Sequence, residues 1–143
     1  MAILEAGLIV NGLPLVRSVY YSDESGVDPI IKTSLVTAIQ SFASEAFNDR
    51  GEEIKLKKIS ILLSDLDPGS KEPLLLYCIV EKGTDISEVK RRLAKIEKKI
   101  ELIRMMVDTP VMTNELIKVK KTIDKELKEL ILKPADRAKN IFG

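Results

Sequence analysis

The sequence predicts an α+β fold in one chain of 143 residues: an antiparallel sheet of four strands, or of five in the order β-β-α-β-β-β-α where one more forms between residues 52 and 73, with packed helices and an extra C-terminal helix. Three observations carry this. Asn11-Gly12 separates two stretches rich in Val, Ile, Leu and Tyr, which is the pattern of a hairpin. A helix-length segment, 29–48, follows and carries no charge between Lys32 and Glu45. Two further apolar stretches come next, and then two strongly charged segments with apolar residues every three or four positions.

The elements follow in order. Residues 3–10 and 13–21 are the hairpin strands, because Asn-Gly supplies the positive φ angles of a type I′ turn. Pro14 cannot donate to a ladder, so its backbone nitrogen should face away from a neighbouring strand. Residues 22–29 read as a loop, and Asp28-Pro29 as a helix start. On the helix from Pro29 to Asn48, the residues Ile31, Leu35, Ala38, Ile39, Phe42 and Ala46 form one apolar face. Val36, Ala43 and Phe47 extend the apolar surface sideways. A surface helix normally shows charges on its outer side, so this one is predicted to be covered on more than one side. Gly51 is suited to the left-handed cap that ends it.

Residues 54–63 alternate in part and read as a half-buried strand with a bulge at Lys57-Lys58. A fifth strand would come from residues 64–73 or from splitting 52–63. Leu74 to Val80 is a continuous apolar run, the pattern of an inner strand covered on both faces. Asp85-Ile86-Ser87-Glu88 has the spacing of an N-cap with its capping-box carboxylate. The stripe Ile86, Val89, Leu93, Ile96, Ile100, Ile103 follows. Asp108-Thr109-Pro110 interrupts it, and Leu116, Val119, Ile123, Leu127 and Leu130 form a second stripe that ends before Pro134. The expected division is a domain over 1–107 and a helical extension with a tail over 108–143.

Composition excludes several function classes. The chain has no histidine and one cysteine, Cys78. The commonest general base and the ordinary zinc spacings are therefore missing, and no internal disulfide is possible. Cys78 lies in an apolar strand, which points to core packing rather than nucleophilic chemistry. Gly51, Gly69 and Gly83 are isolated, so there is no phosphate-cradling loop. Asp65, Asp67 and Glu72 lack calcium-loop spacing and read as a solvated acidic loop. The sequence calls for no cofactor, no metal and no catalytic residue. The start of the chain has no basic region before an apolar core, and no apolar run approaches the roughly 20 residues of a membrane span. A cytoplasmic protein, peripheral at membranes at most, is expected.

Charge is uneven along the chain. Residues 1–85 hold 8 Lys/Arg against 13 Asp/Glu, and residues 86–143 hold 15 against 9. The basic half suits an acidic partner, an anionic membrane or nucleic acid, or is simply the solvent side of Lys-rich helices. Nucleic acid is not expected: Glu88, Glu97, Glu101, Glu126 and Glu129 are interspersed, and no aromatic lies among the lysines to stack a base.

Gly7-Leu8-Ile9-Val10-Asn11-Gly12 leads into a strand ending Tyr20-Tyr21, and Ser34 to Ala43 follows on the first helix. With the strand at Leu74–Val80 and the helix from Ile86, residues 3–105 resemble the longin fold. They also resemble the archaeal longin-like and roadblock-like small proteins thought to accompany small GTPases. The resemblance implies a five-stranded antiparallel sheet with helices packed against it, in a non-enzymatic protein-interaction module. Longin domains typically serve in membrane traffic, and their roadblock relatives pair up and hold a small GTPase across the joined sheet. The expected partner is thus a protein, with a small GTPase or a trafficking or tethering protein foremost, met as a homo- or heterodimer. Val36, Ala43 and Phe47 are the expected contact residues on the first helix. The stripe of Leu116, Ile123 and Leu127 either packs back on the core or docks a partner. The alternative is a scaffold that offers the two charged helices to a partner coiled coil, or a roadblock-like GTPase regulator acting through those helices.

Overall fold

The computed structural model describes residues 3–21, 29–48, 51–66, 74–105 and 113–131. The elements are β1 (Ile3–Val10), β2 (Leu13–Val19), α1 (Pro29–Phe47), β3 (Glu53–Lys55), β4 (Ile59–Asp65), β5 (Leu74–Glu81), α2 (Ile86–Met105) and α3 (Thr113–Ile131). This is the predicted order. Of the expected loop at 22–29, Pro29 opens α1; residues 22–28 with the helix start at Asp28, the acidic residues Asp67 and Glu72, and the boundary at 107/108 lie outside the described residues.

The strands form one antiparallel sheet in the order β2-β1-β5-β4-β3. The apolar run at 74–80 is the central strand, as its lack of alternation requires. Asn11 and Gly12 both take positive φ (49° and 80°), the type I′ geometry expected of Asn-Gly. The β1–β2 register shifts by one residue between Leu8 and Ile9, which opposes Ile9 to Pro14 and leaves Leu15 as the extra residue. The stretch expected as one bulged strand is instead a hairpin. The Leu56 N–H donates to the Ile59 carbonyl at 2.9 Å, so Lys57-Lys58 form the tip of a tight turn between β3 and β4. Splitting this stretch supplies the fifth strand. The doubled lysine interrupts the apolar alternation, and a turn leaves both side chains in water.

The two faces of the sheet differ. Ala6, Leu8, Val16, Leu62, Leu76, Cys78 and Val80 point to the face covered by α2 and α3, where they meet Val89, Leu93, Ile96, Ile100, Val119, Ile123 and Leu127. Asp85 caps α2, its Oδ1 accepting the Glu88 N–H at 3.3 Å. An ion pair joins the two helices where Lys99 meets Glu126. The hydroxyl of Tyr20, just after β2, donates to Asp124 Oδ1 of α3 at 2.6 Å. α3 therefore closes the core of its own chain. Ile123 and Leu127 are fully buried and Leu116 packs half-buried against the same cluster. The stripe offered above as a partner handle is an internal one. Its apolar residues are satisfied by the nearest apolar surface, which is the sheet.

Shortening Ile123 to Ala is expected to destabilise the protein by about 2–5 kcal/mol, because it opens a cavity in a collapsed core. Urea unfolding checks this; a loss near zero would mean that α3 does not pack on the sheet.

Candidate interaction surface

The other face of the sheet carries α1, and here the structure turns the sequence reading over. Thr33, Val36 and Gln40 are the buried residues of this helix. Ile31 (62% exposed), Leu35 (60%), Ile39 (37%) and Phe42 (67%) face outward. The main apolar face, expected to be covered, is the solvent face, and Ala38 and Ala46 lie exposed with it. The expected contact residues divide. Val36 is buried against a cluster containing Ile9, Leu63, Leu75 and Tyr77, so it is not available to a partner. Ala43 is half-buried, and Phe47 is exposed. Phe47 meets Phe42 edge-to-face, with ring centroids 6.2 Å apart.

Polar anchors set this rotation. The Thr33 hydroxyl donates to the Gly12 carbonyl at 2.6 Å, tying the helix to the hairpin turn. Gln40 holds Gly51 with both ends of its amide: Nε2 donates to the Gly51 carbonyl and Oε1 accepts the Gly51 N–H, each at 2.7 Å. Asn48, not Gly51, is the left-handed residue that ends α1 (φ 51°). Gly51 serves the clamp instead, since a Cβ there would stand 3.1 Å from Gln40 Oε1. With Thr33 and Gln40 pointing in, helical geometry sends the 31-35-39-42 row out.

Between α1 and the sheet lies an open groove of about 690 Å³, lined chiefly by aliphatic side chains including Ile39, Ile54, Ile61 and Ile79. Glu5 and Tyr77 line it as well. Glu5 is 5% exposed and is compensated on both sides. The Tyr77 hydroxyl donates to Oε2 at 2.6 Å, and Arg17 donates to the same carboxylate at 3.3 and 3.4 Å. Gly7, opposite Tyr77 in the register, gives the ring its path: a Cβ at Gly7 would lie 3.0 Å from Tyr77 Cε1 and 2.1 Å from the Val16 carbonyl oxygen.

Cys78 is fully buried and burial pushes its thiol up, so thiolate chemistry is disfavoured. Among the described residues, no group of three potential metal ligands comes together. No described helix is long and apolar enough to cross a membrane. What the surface offers is an apolar helix row beside an apolar groove. Ile31, Leu35, Ile39 and Phe42 were visible in the sequence as a stripe. The signal that this stripe faces outward was the uncharged run from Thr33 to Ser44 together with a second, polar stripe at Thr33, Thr37, Gln40 and Ser44.

No protein-family model and no curated protein matches the sequence. Among solved structures, the chain is similar to a Roadblock/LC7 domain from Streptomyces avermitilis. The match has a TM-score of 0.57 and 15% identity, over 73% of this chain and 88% of that one. The fold is of the Roadblock/LC7 type. Two MglB structures also align. One, in a tetrameric arrangement, covers 87% of this chain and 80% of its own at 14% identity and a TM-score of 0.46. The other, from Myxococcus xanthus, covers 92% and 82% at 15% identity and 0.44. The Roadblock/LC7-type sheet here carries helices on both faces, but α2 and α3 turn their apolar stripes inward while the main apolar row of α1 stays exposed.

Two measurements probe the groove side. Gly7→Ala should cost about 3 kcal/mol in urea unfolding, because the nearest obstacle is backbone that cannot swing aside. The second is alkaline titration. Burial first, and then hydrogen bonding to Glu5 and to Asp124, raise Tyr77 and Tyr20 well above the ordinary 10.0. The unfolded chain loses these protons above pH 10 while the folded chain keeps them. Their contribution to stability is therefore full below pH 10 and declines as the pH rises further. Absorbance at the tyrosinate band should show both rings ionising only together with unfolding.

Proposed function

We propose that the chain is a non-enzymatic interaction module that pairs through the outer face of α1 and, so paired, holds a small GTPase or a trafficking or tethering protein. The proposed setting is the cytoplasm, peripherally at membranes. The observation that carries this reading is the row Ile31, Leu35, Ile39 and Phe42, four large apolar side chains exposed on one helix face. Contiguous apolar surface of this kind is uncommon on a monomer and marks a binding site. The Roadblock/LC7-type fold supports the GTPase half of the reading, because roadblock relatives are expected to present their joined sheet to such a partner. The coiled-coil alternative loses support, since Ile96 and Ile123 are spent on the chain's own core.

Light scattering on the purified protein should give twice the 16.0 kDa of one chain. Leu35→Asp or Phe42→Asp should weaken pairing by about 2–4 kcal/mol, roughly 30- to 1,000-fold in Kd, as for a central apolar contact. A wild-type monomer at high concentration would sink the pairing. For the partner, beads carrying the wild-type chain are exposed to source-cell lysate with GDP or with a non-hydrolysable GTP analogue. A guanine-nucleotide-binding protein retained by wild type and lost by Phe42→Asp is the expected result. Retention of none in either nucleotide state counts against the GTPase.

A further inference from the structure

The structure sorts the charges of α2 and α3 by depth. Val89, Leu93, Ile96 and Ile100 are the buried stripe of α2. Two positions beyond each stand Arg91, Lys95, Lys98 and Leu102, all exposed. Two residues are about 200° of helix rotation, so this row points straight away from the sheet. α3 repeats the arrangement, with Val119 and Ile123 buried, Lys121 and Lys125 opposite them, and Lys118 and Lys128 extending the row. Five exposed Lys or Arg stand on each helix, and among the described residues the one exposed acid on either is Glu101. The other described acids, Glu88, Glu97, Glu115, Asp124 and Glu126, are recessed and half-buried.

Three of those recessed acids are tied to cations of the same helix pair. Glu88 holds Arg91 and Arg92, Glu126 holds Lys99, and Asp124 holds Lys120. The Arg91 and Arg92 hydrogen bonds bring the Glu88 carboxyl down to about 2, so that pair is ionised at any physiological pH. Lys95, Lys98, Lys118, Lys121, Lys125 and Lys128 are left with no ion pair among the described residues. The near-neutral whole chain therefore presents one strongly basic face, on the opposite side of the sheet from α1.

Two exposed aliphatic side chains accompany these lysines, Leu102 (60%) and Ile117 (48%). Only residues 106–112 join α2 to α3, too few to run back along α2, so the helices are antiparallel. Leu102, near the end of α2, and Ile117, near the start of α3, thus both lie toward the connected end. No aromatic residue occurs on either helix, which disfavours single-stranded nucleic acid. A lysine field with a small aliphatic edge matches the headgroup and acyl layers of an anionic bilayer.

We propose that the outer face of α2 and α3 docks on an anionic lipid bilayer, the lysine rows against the headgroups and Leu102 and Ile117 at the acyl boundary. The proposal deepens the peripheral location read above and is independent of pairing through α1. The full chain is sedimented with vesicles of phosphatidylcholine, with and without phosphatidylglycerol. Binding should require phosphatidylglycerol and fall steeply between roughly 50 and 300 mM salt as the charges are screened. Combining Lys95→Gln, Lys98→Gln, Lys121→Gln and Lys125→Gln should lower binding on the order of 100-fold or more, at roughly fivefold per lysine. Leu102→Ser should weaken vesicle binding several-fold and leave binding to a duplex oligonucleotide unchanged. Equal binding to neutral vesicles, no binding at low salt, an unaffected quadruple variant, or tighter binding to the oligonucleotide at the same salt would each overturn it. Light scattering on the same samples keeps this result separate from that of the α1 pairing.

Discussion

The Thr33 hydroxyl reaches the Gly12 carbonyl across the hairpin turn, and the orientation of α1 follows from that contact. A helix laid on a sheet can rotate about its own axis, and apolar burial alone would favour the rotation that hides Ile31, Leu35, Ile39 and Phe42. Here the opposite rotation is held. Thr33 anchors the first turns, Val36 fills the apolar gap over Ile9 and Tyr77, and Gln40 clamps Gly51 with both amide groups. Hydrogen bonds with fixed directions define one rotation, whereas apolar contact is non-directional. The outer row of α1 is left exposed as a consequence, and with it the open groove beside the sheet.

The same sheet serves two different chemistries on its two faces. On the α2–α3 side, the inward positions of the sheet are apolar apart from the small hydroxyls of Ser18 and Ser60, and the helices are amphipathic in the ordinary sense, with lysines outward and most acids tucked along the flanks. On the α1 side, a buried carboxylate sits among aliphatic residues. Glu5 is tolerable there because Tyr77 and Arg17 satisfy it, and Tyr77 can reach it because Gly7 has no side chain. The central strand β5 carries both faces at once, which is why its sequence reads as an unbroken apolar run.

The strand and helix order could be read from the sequence because each element has a local cause: Asn-Gly for the hairpin, Asp85 for the start of α2, and a continuous apolar run for the central strand. The β3–β4 hairpin was harder. Lys57-Lys58 is compatible with a bulge or a turn, and only the partner strand distinguishes them, here by opposing Lys55 to Ser60. The end of α1 was misplaced for a similar reason. Gly51 is the residue best suited to a left-handed cap, but Asn48 reaches it first and tolerates it, and Gly51 is used where Gln40 approaches closely.

By itself the sequence determined the element order, the apolar stripes, the missing histidine chemistry and the excess of base in the second half. Those are properties of single residues and of short spacings. Tertiary structure alone decided which stripe faces inward. Periodicity marks an apolar face on α1 and another on α3 without saying what covers either. The sheet covers the α3 stripe, so Ile123 and Leu127 are core, while directional hydrogen bonds from Thr33 and Gln40 turn the α1 stripe to solvent. The depth of the charges was likewise invisible in the sequence. Glu88, Asp124 and Glu126 count equally with the lysines there, but they lie recessed in the fold, and the surface that remains is basic.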